Sequence, residues 1–151
     1  MTTQQECFLK FDVDWRDEHM FKMIITSCNT GFCGITNTYV TPAQLINFAI
    51  EIGEFSQSVN SELFFEIGKK DAHSYFSMRC YQIDYSGVVG VEIMIESDVA
   101  TEYRPEEKSK LKTELIVELR AIDEFRKQLY SLVSTSEGQA LLLGRYSSRI
   151  D

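Results

Sequence analysis

Apolar and charged residues alternate along the first patterned segment of the chain. In residues 6–16, ECFLKFDVDWR, every second side chain is apolar, and only Phe8 breaks the pattern on the polar side. Because successive side chains of a strand point to opposite faces, this alternation predicts a strand with one buried face. The pattern puts Trp15 on the buried face and leaves Asp12 and Asp14 on the face that meets solvent.

The period of the pattern then changes from strand to helix. Residues 21–28 and 33–40 are rich in β-branched and aromatic side chains and predict two more strands. Thr41 is a good N-cap, Pro42 suits the first helical position, and a helix to about Gln57 is expected. Its apolar face consists of residues at helical spacing, namely Leu45, Phe48, Ala49, Ile52 and Phe55.

Strand patterns resume after this helix and end in a second helix. The predicted strands comprise residues 62–67, 75–85, 88–97 and 112–120, and a helix begins near Asp123. Its apolar side repeats the spacing of the first helix, with Ile122, Phe125, Leu129, Leu132 and Val133. The element order βββα-ββββα predicts an α+β fold, in which a mainly antiparallel sheet of about seven strands is covered by two amphipathic helices.

Size and composition indicate one globular domain. The 151 residues are 44% hydrophobic and 25% charged, which is typical of a chain with its own core. We expect this domain to span residues 1–144, and residues 145–151 to form a loose tail. No run approaches the ~20 apolar residues of a membrane helix, and the start lacks the basic and apolar regions of a secretory signal. The resulting expectation is a cytoplasmic protein without membrane contact.

The chain is acidic. Its formal net charge is -8, from 15 basic and 23 acidic residues. Binding of nucleic acid requires cations that neutralise phosphates, and the densest basic clusters, at residues 69–70 and 108–112, are short. Nucleic acid is therefore disfavoured as the main partner. A basic protein fits better, because an acidic surface attracts and orients one.

The stretch from Cys28 to Cys33, CNTGFC, is the first candidate for chemistry. A zinc knuckle needs a second pair of ligands, which is missing here. A redox motif has two residues between its cysteines and lies at the start of a helix, and a phosphate-binding loop contains a lysine. This stretch has none of these features. Because Asn29 and Gly31 favour a turn and cytosolic thiols stay reduced, we predict a turn with both cysteines packed as small apolar thiols. The sequence also offers no nucleophile elbow and no cofactor motif, so we expect a non-enzymatic protein without cofactor or metal.

Charged side chains cluster around residues 15–20, WRDEHM. Asp17, Glu18 and His19 follow closely on Asp12 and Asp14. Carboxylates beside a histidine can hold a metal or exchange protons. The alternative is a solvated loop after an edge strand, where the charges oppose sheet-to-sheet aggregation. The four carboxylates are also candidates for contact with a basic partner.

The most informative pattern is the outward face of two predicted strands. In VVGVEIMIES and ELIVELR the outward side chains are Glu92, Met94, Glu96, Glu114, Ile116 and Glu118. If the strands are neighbours, like charges meet on one face, which destabilises a sheet unless a cation intervenes. The candidate cations are Arg79, Lys112 and Arg120. Alternatively, the face docks a basic partner and uses Met94 and Ile116 as apolar anchors.

With the elements placed, the chain resembles a known group of proteins. The segment GFCGITNTYVTPAQLINFAIEIGEF is similar to the aromatic–x–Gly, strand and amphipathic helix core of small bacterial immunity-type proteins, including the group associated with the wall-associated WapI toxin. ELIVELRAIDEFRKQLYSLVSTSEGQALLLG fits the same pattern, so the resemblance covers roughly residues 7–144. It implies a cytoplasmic, non-enzymatic protein that neutralises a toxin domain by binding it, and no catalytic residues carry over.

Three functions therefore stand as expectations. The first is an immunity-like inhibitor of a basic toxin or nuclease domain. The second is single-stranded nucleic-acid binding, because the element order also resembles the Whirly-type fold and bases can stack on exposed aromatic rings. The candidate rings are Tyr75, Phe76, Tyr81 and Tyr85. The third is a small-molecule binder with an apolar pocket under a helix.

Overall fold

The computed structural model describes residues 7–58, 61–84, 87–100 and 104–145. Within these ranges the chain forms eight strands, two α-helices and one short 3₁₀ turn. In chain order the elements are β1 (Cys7–Arg16), β2 (Phe21–Asn29), β3 (Phe32–Val40), α1 (Pro42–Gln57), β4 (Leu63–Gly68), β5 (Tyr75–Gln82), β6 (Val88–Glu96), the 3₁₀ turn (Pro105–Glu107), β7 (Lys110–Glu118), α2 (Leu119–Thr135) and β8 (Gln139–Leu143). Neither helix in this part of the chain is long and apolar enough to cross a membrane.

The strands form two antiparallel sheets of four strands each. Sheet 1 has the order β3-β2-β1-β8, and sheet 2 has the order β4-β5-β6-β7. The predicted α+β class and element order are confirmed, and β8 is an additional strand that pairs with β1. Because β8 covers its second side, β1 lies inside sheet 1. The interpretation of β1 as an edge strand is therefore wrong.

Aromatic rings from both sheets and both helices meet in one core. Phe11 of β1 contacts Phe76 of β5 at 5.3 Å and Phe125 of α2 at 5.6 Å between ring centroids, both edge to face. Phe48 of α1 stacks on Phe65 of β4 at 3.8 Å. Pairs of this kind add about 0.5–1.5 kcal/mol each beyond the burial of their area. These rings tie the two sheets and the two helices into one packed unit.

Both helices bury the faces that the sequence predicts. The buried side chains are Leu45, Phe48, Ala49, Ile52 and Phe55 in α1, and Ile122, Phe125, Leu129 and Leu132 in α2. At the start of α1, Thr41 Oγ1 accepts a hydrogen bond from the N–H of Gln44, and the side chain of Gln44 accepts one from the N–H of Thr41. This reciprocal capping box satisfies two N–H groups that a helix start leaves without partners.

The boundary between β7 and α2 differs from the prediction. The strand predicted to reach residue 120 ends at Glu118, which already occupies the N-cap position with φ -98° and ψ 154°. Leu119 therefore begins the helix earlier than the apolar spacing alone indicates.

A β-bulge changes the face on which Trp15 lies. The register between β1 and β2 shifts between Val13 and Trp15, so Asp14 is an extra residue. An inserted residue reverses the alternation of faces beyond it. Trp15 is accordingly 50% exposed, and its ring meets Tyr39 edge to face at 6.5 Å. The prediction that Trp15 lies on the buried face is wrong for this reason.

The hairpin between β2 and β3 holds a cysteine on each side of its turn. Thr30 and Gly31 connect the strands with positive φ values of 48° and 96°, which match a type I′ turn. Cys28 and Cys33 lie directly opposite each other and form a disulfide, with their Cα atoms 4.1 Å apart. The turn is confirmed. The prediction of two separate thiols is wrong, because the tight turn brings both cysteines to the same rung of the hairpin.

The two sheets approach closely next to this hairpin. Asn29 Nδ2 donates hydrogen bonds to Thr113 Oγ1 at 3.1 Å and to the carbonyl of Glu114 at 2.8 Å. Gly34 of β3 faces Leu111 of β7, where an added Cβ would stand 2.9 Å from Leu111 Cδ2. The missing side chain at position 34 thus lets β3 lie against sheet 2.

Candidate protein-binding surface

The two strands of the predicted acidic face are neighbours. In sheet 2, Glu92 of β6 lies directly opposite Glu114 of β7, and Met94 lies opposite Lys112. Met94 and Ile116 are half-buried, whereas Glu114 is exposed. The structure therefore brings together most of the residues that the sequence assigns to this outward face.

Two cations neutralise Glu92. Arg79 Nε of β5 lies 3.4 Å from Glu92 Oε1, and Lys112 Nζ lies 3.6 Å from Oε2. Arg79 also bonds to Glu62 at 3.2 Å. Of the three cations considered for this role, Arg79 and Lys112 form ion pairs with Glu92. Arg120 lies on α2 and pairs with no carboxylate in the described residues.

Glu114 and Glu118 are the exposed glutamates of this face, and only Glu114 has a described hydrogen-bond partner. Glu114 accepts a hydrogen bond from the hydroxyl of Tyr81, whose ring also lies under Arg79 with 4.5 Å to the centroid. This hydrogen bond, followed by burial, raises the pKa of Tyr81 to about 12. The ring of Tyr81 packs over Gly90, where any Cβ would clash with it. Glu118 is exposed and pairs with no described cation.

Glu96 does not belong to the exposed face. Its side chain is 1% exposed and accepts hydrogen bonds from Lys70 Nζ at 3.3 Å and from the N–H of Asp71 at 2.8 Å. The connection between β4 and β5 folds over this end of sheet 2 and covers the position. The prediction that Glu96 is available to a partner is therefore wrong, because it anchors this connection instead.

The carboxylates on β1 are paired within sheet 1. Asp12 lies 3.6 Å from Lys10 Nζ, and Asp14 lies 4.0 Å from Lys22 Nζ. These pairs are partly exposed, and ion pairs of this kind contribute little stability. Both carboxylates on β1 therefore already have a lysine partner within sheet 1.

In the turn after β1, the carboxylates of Asp17 and Glu18 interact with groups of the same turn. Asp17 accepts hydrogen bonds from the N–H groups of His19 and Met20, both at 2.8 Å, and these bonds lower its pKa. Glu18 lies 3.5 Å from His19 Nε2. Among the residues that the structure describes, no three His, Cys, Asp or Glu side chains gather as a metal site would require.

The aromatic rings considered for base stacking are mostly inaccessible. Tyr75 and Phe76 are buried, and Tyr81 is covered on one face by Arg79. Tyr85 lies outside the described residues. A stacking platform formed by these rings is therefore not present in the described part of sheet 2.

A groove between α1 and β4 combines acidic and aromatic side chains. Its volume is about 390 Å³, and its lining comprises Glu51, Glu54, Phe55, Ser61, Glu62, Leu63 and Phe64. Phe64, one of these lining residues, is 53% exposed, although its neighbours on β4 pack inward. We call this surface the α1–β4 groove.

The charge of the α1–β4 groove is unbalanced. Helix α1 contains Glu51 and Glu54 but no lysine or arginine, and neither glutamate pairs with a described cation. Glu62 shares Arg79 with Glu92. Carboxylates beside an exposed ring form a suitable environment for a lysine or arginine side chain, through charge-assisted hydrogen bonds and cation–π contact.

Sequence reasoning missed the α1–β4 groove. The sequence of α1 shows two acidic residues and no basic one, and ELFFEI shows two adjacent phenylalanines where alternation allows only one to be buried. Both signals were present. Their meeting at one surface depends on how α1 crosses the edge of sheet 2, which no local pattern indicates.

A second groove lies between α2 and β8. Its volume is about 370 Å³, and it is lined by Glu118, Arg120, Ala121, Glu124, Gln128, Leu141 and Leu143. Like the α1–β4 groove, it opens at the surface and carries acidic residues. The α1–β4 groove does not resemble the apolar pocket that the small-molecule hypothesis expects, whereas the lining of this second groove beside α2 is mostly apolar.

Comparison with known proteins does not assign the chain to a group. No family model matches it, and no curated protein matches it significantly. The resemblance to immunity-type proteins therefore stays a prediction, and the function rests on the chemistry of the surface.

Proposed function

We propose that this chain is a non-catalytic binding protein that captures a basic protein and blocks its action. The partner class that fits best is a basic toxin or nuclease domain, for which the chain would serve as an immunity-like inhibitor. The α1–β4 groove is the contact surface that the geometry favours.

The observation that carries this proposal is the unpaired charge beside exposed apolar surface on α1 and β4. Glu51 and Glu54 are exposed and have no described cation, and Phe64 offers an aromatic face next to them. Binding energy at protein interfaces concentrates on a few such contacts, typically an arginine or an aromatic residue in a pocket. A basic side chain of the partner would find carboxylates and a ring in one groove.

The outward face of sheet 2 supports the same partner less strongly. Glu92 and Glu114 already have partners within the chain, so a basic protein would have to compete with Arg79, Lys112 and Tyr81. Breaking these contacts costs part of the energy that a new contact supplies. We therefore place the main contact at the α1–β4 groove.

The net charge of -8 adds a long-range contribution. An excess of negative charge speeds the encounter with a basic partner and repels nucleic acid. This favours capture of a protein over the Whirly-like alternative, whose candidate rings are buried or covered on one face where the structure describes them.

Copurification tests the proposal. The tagged chain is expressed together with the protein encoded beside it, and the pair is washed with buffers of rising salt. We expect a complex at low salt that weakens as the salt concentration rises, and loss of the partner's toxicity in the presence of this chain. A neighbour that lacks a basic domain, or no complex at low salt, would contradict the proposal.

A further inference from the structure

Strand β3 forms an edge of sheet 1 that has none of the usual protection. Its residues Phe32–Val40, FCGITNTYV, include no charged residue and no proline, and the register with β2 runs without a bulge. Edge strands are normally protected by charges, prolines, bulges or short length, because their free backbone groups can pair with another strand. β3 has nine residues, which is long enough for such pairing.

The register shows which backbone groups of β3 point outward. The Cα atoms of Cys28 and Cys33 are 4.1 Å apart, which identifies them as a pair without mutual backbone hydrogen bonds. Because the two kinds of pair alternate along an antiparallel ladder, the backbone groups of Cys33, Ile35, Asn37 and Tyr39 all point away from β2. No hydrogen bond from another described residue reaches these groups.

The other sheet edges are shorter, charged or covered. On β7, the carbonyl of Ile116 accepts from the N–H of Arg145. On β8, the N–H of Leu141 donates to Gln128 Oε1 at 2.7 Å. β4 has six residues and carries Glu66. Among the described strands, β3 therefore has the edge most open to pairing.

The side chains along this edge are uncharged and largely apolar. Ile35 is 60% exposed and Tyr39 is 53% exposed, and Trp15 packs against Tyr39 from β1. Two molecules that each carry a net charge of -8 repel each other, and a contact over a strip without carboxylates keeps like charges from facing each other directly. The β3 edge provides such a strip on both copies at once.

We propose that β3 pairs antiparallel with β3 of a second copy, so that the two copies of sheet 1 join into one continuous sheet. A two-fold axis at Thr36 brings Ile35 opposite Asn37 of the second copy, and Cys33 opposite Tyr39 of the second copy. Each of these outward backbone groups then gains a hydrogen-bond partner. Such an interface is isologous, because both copies contribute the same strand. It uses β3 and makes no use of the groove residues of the proposed function.

Sedimentation velocity over a range of concentrations tests this dimer. We expect the wild type to sediment as a dimer. Ile35→Lys should be monomeric at the same concentrations, because it places two lysines near the two-fold axis. Asn37→Pro should also be monomeric, because it removes an N–H that points away from β2. This N–H makes no ladder hydrogen bond within sheet 1, and the dimer needs it. Ile50→Lys, the same change at an exposed position on α1, should remain dimeric.

Far-UV circular dichroism of each variant confirms that the monomers are folded. If Ile35→Lys unfolds, Asn37→Pro and hydrogen exchange still test the interface, because the amides of Cys33, Ile35, Asn37 and Tyr39 should be protected only in the wild-type dimer. A wild type that sediments as a monomer throughout, or an Ile35→Lys variant that remains dimeric, would overturn the proposal. A monomeric wild type whose complex with a basic protein is lost in Ile35→Lys would also overturn it, and would assign the edge to that protein.

Discussion

Glu92 on β6 lies directly opposite Glu114 on β7, and each carboxylate is held by partners of its own. Glu92 is bonded by Arg79 and Lys112, while Glu114 accepts the hydroxyl of Tyr81. Like charges on one rung normally destabilise a sheet. Here the neighbouring strands supply the cations and the donor that make the pair tolerable.

The hydrogen bond to Glu114 should delay the ionisation of Tyr81. Its pKa is raised from 10.0 to about 12, first by this bond and then by burial. We expect Tyr81 to ionise well above an ordinary tyrosine in an ultraviolet titration, and Glu114→Gln to return it toward the ordinary range, while Tyr75, whose pKa is also raised by burial, keeps its shift in both proteins. Identical titration curves for the two proteins would contradict this assignment.

The same shift predicts a dependence of stability on pH. Because the folded state keeps the proton of Tyr81 when the unfolded state begins to lose it, the contribution is complete below pH 10 and is lost as the pH rises toward 12. Urea denaturation across this range should show a steeper loss of stability in the wild type than in Tyr81→Phe.

Glu96 should contribute to stability rather than to binding. Removal of its carboxylate in Glu96→Ala deprives Lys70 and the N–H of Asp71 of this acceptor and should lower the free energy of unfolding by about 1.5–3 kcal/mol. Glu96→Gln keeps an acceptor oxygen and should cost less. Glu92→Ala, at a more exposed position, serves as the comparison in urea denaturation. A larger loss for Glu92→Ala than for Glu96→Ala would contradict the structural role.

Two glycines should respond to alanine in opposite directions. Gly34→Ala places a Cβ 2.9 Å from Leu111 Cδ2, so we expect a loss of about 1–3 kcal/mol, recovered in part when Leu111 is also replaced by Ala. Gly53→Ala within α1 meets Arg126 Cδ at an ordinary 3.5 Å and should stabilise the protein by about 0.5–1 kcal/mol. Thermal and urea denaturation measure both, and a stabilising Gly34→Ala would refute the close approach of the sheets.

The four cysteines should fall into two reactivity classes. Cys7 and Cys80 are buried thiols, and burial raises the pKa of Cys80 to about 12, so neither should react with a thiol reagent in the folded state. Cys28 and Cys33 should react only after a reductant opens their disulfide. Mass spectrometry of labelled peptides distinguishes the classes. Labelling of Cys28 and Cys33 in air-exposed protein without reductant would contradict the pairing.

The elements of the fold were predictable where local patterns determine them. The capping residues Thr41 and Pro42 and the apolar spacing behind them fix α1, and alternation fixes β1 as far as Val13. The bulge at Asp14 could not be predicted from a local pattern. One inserted residue leaves the sequence looking regular while it turns Trp15 outward, so only the pairing with β2 reveals it.

The candidate site was less predictable, because it depends on contacts between distant segments. The alternation correctly put Glu92 and Glu114 outward, and nothing local shows that residues 69–74 cover Glu96. In the same way, Glu54 and Phe64 belong to different elements and meet only through the packing of α1 against the edge of sheet 2.

The central claim is that a basic protein binds at the α1–β4 groove, and calorimetry with matched charge reversals tests it most directly. The basic partner recovered by copurification is titrated into the wild type, Glu54→Lys and Glu137→Lys. Both variants change the net charge equally, but Glu54 lines the groove, whereas Glu137 is an exposed glutamate in the turn before β8. We predict that Glu54→Lys weakens the affinity by about tenfold or more and that Glu137→Lys changes it little. Equal affinities for the two variants would contradict the claim.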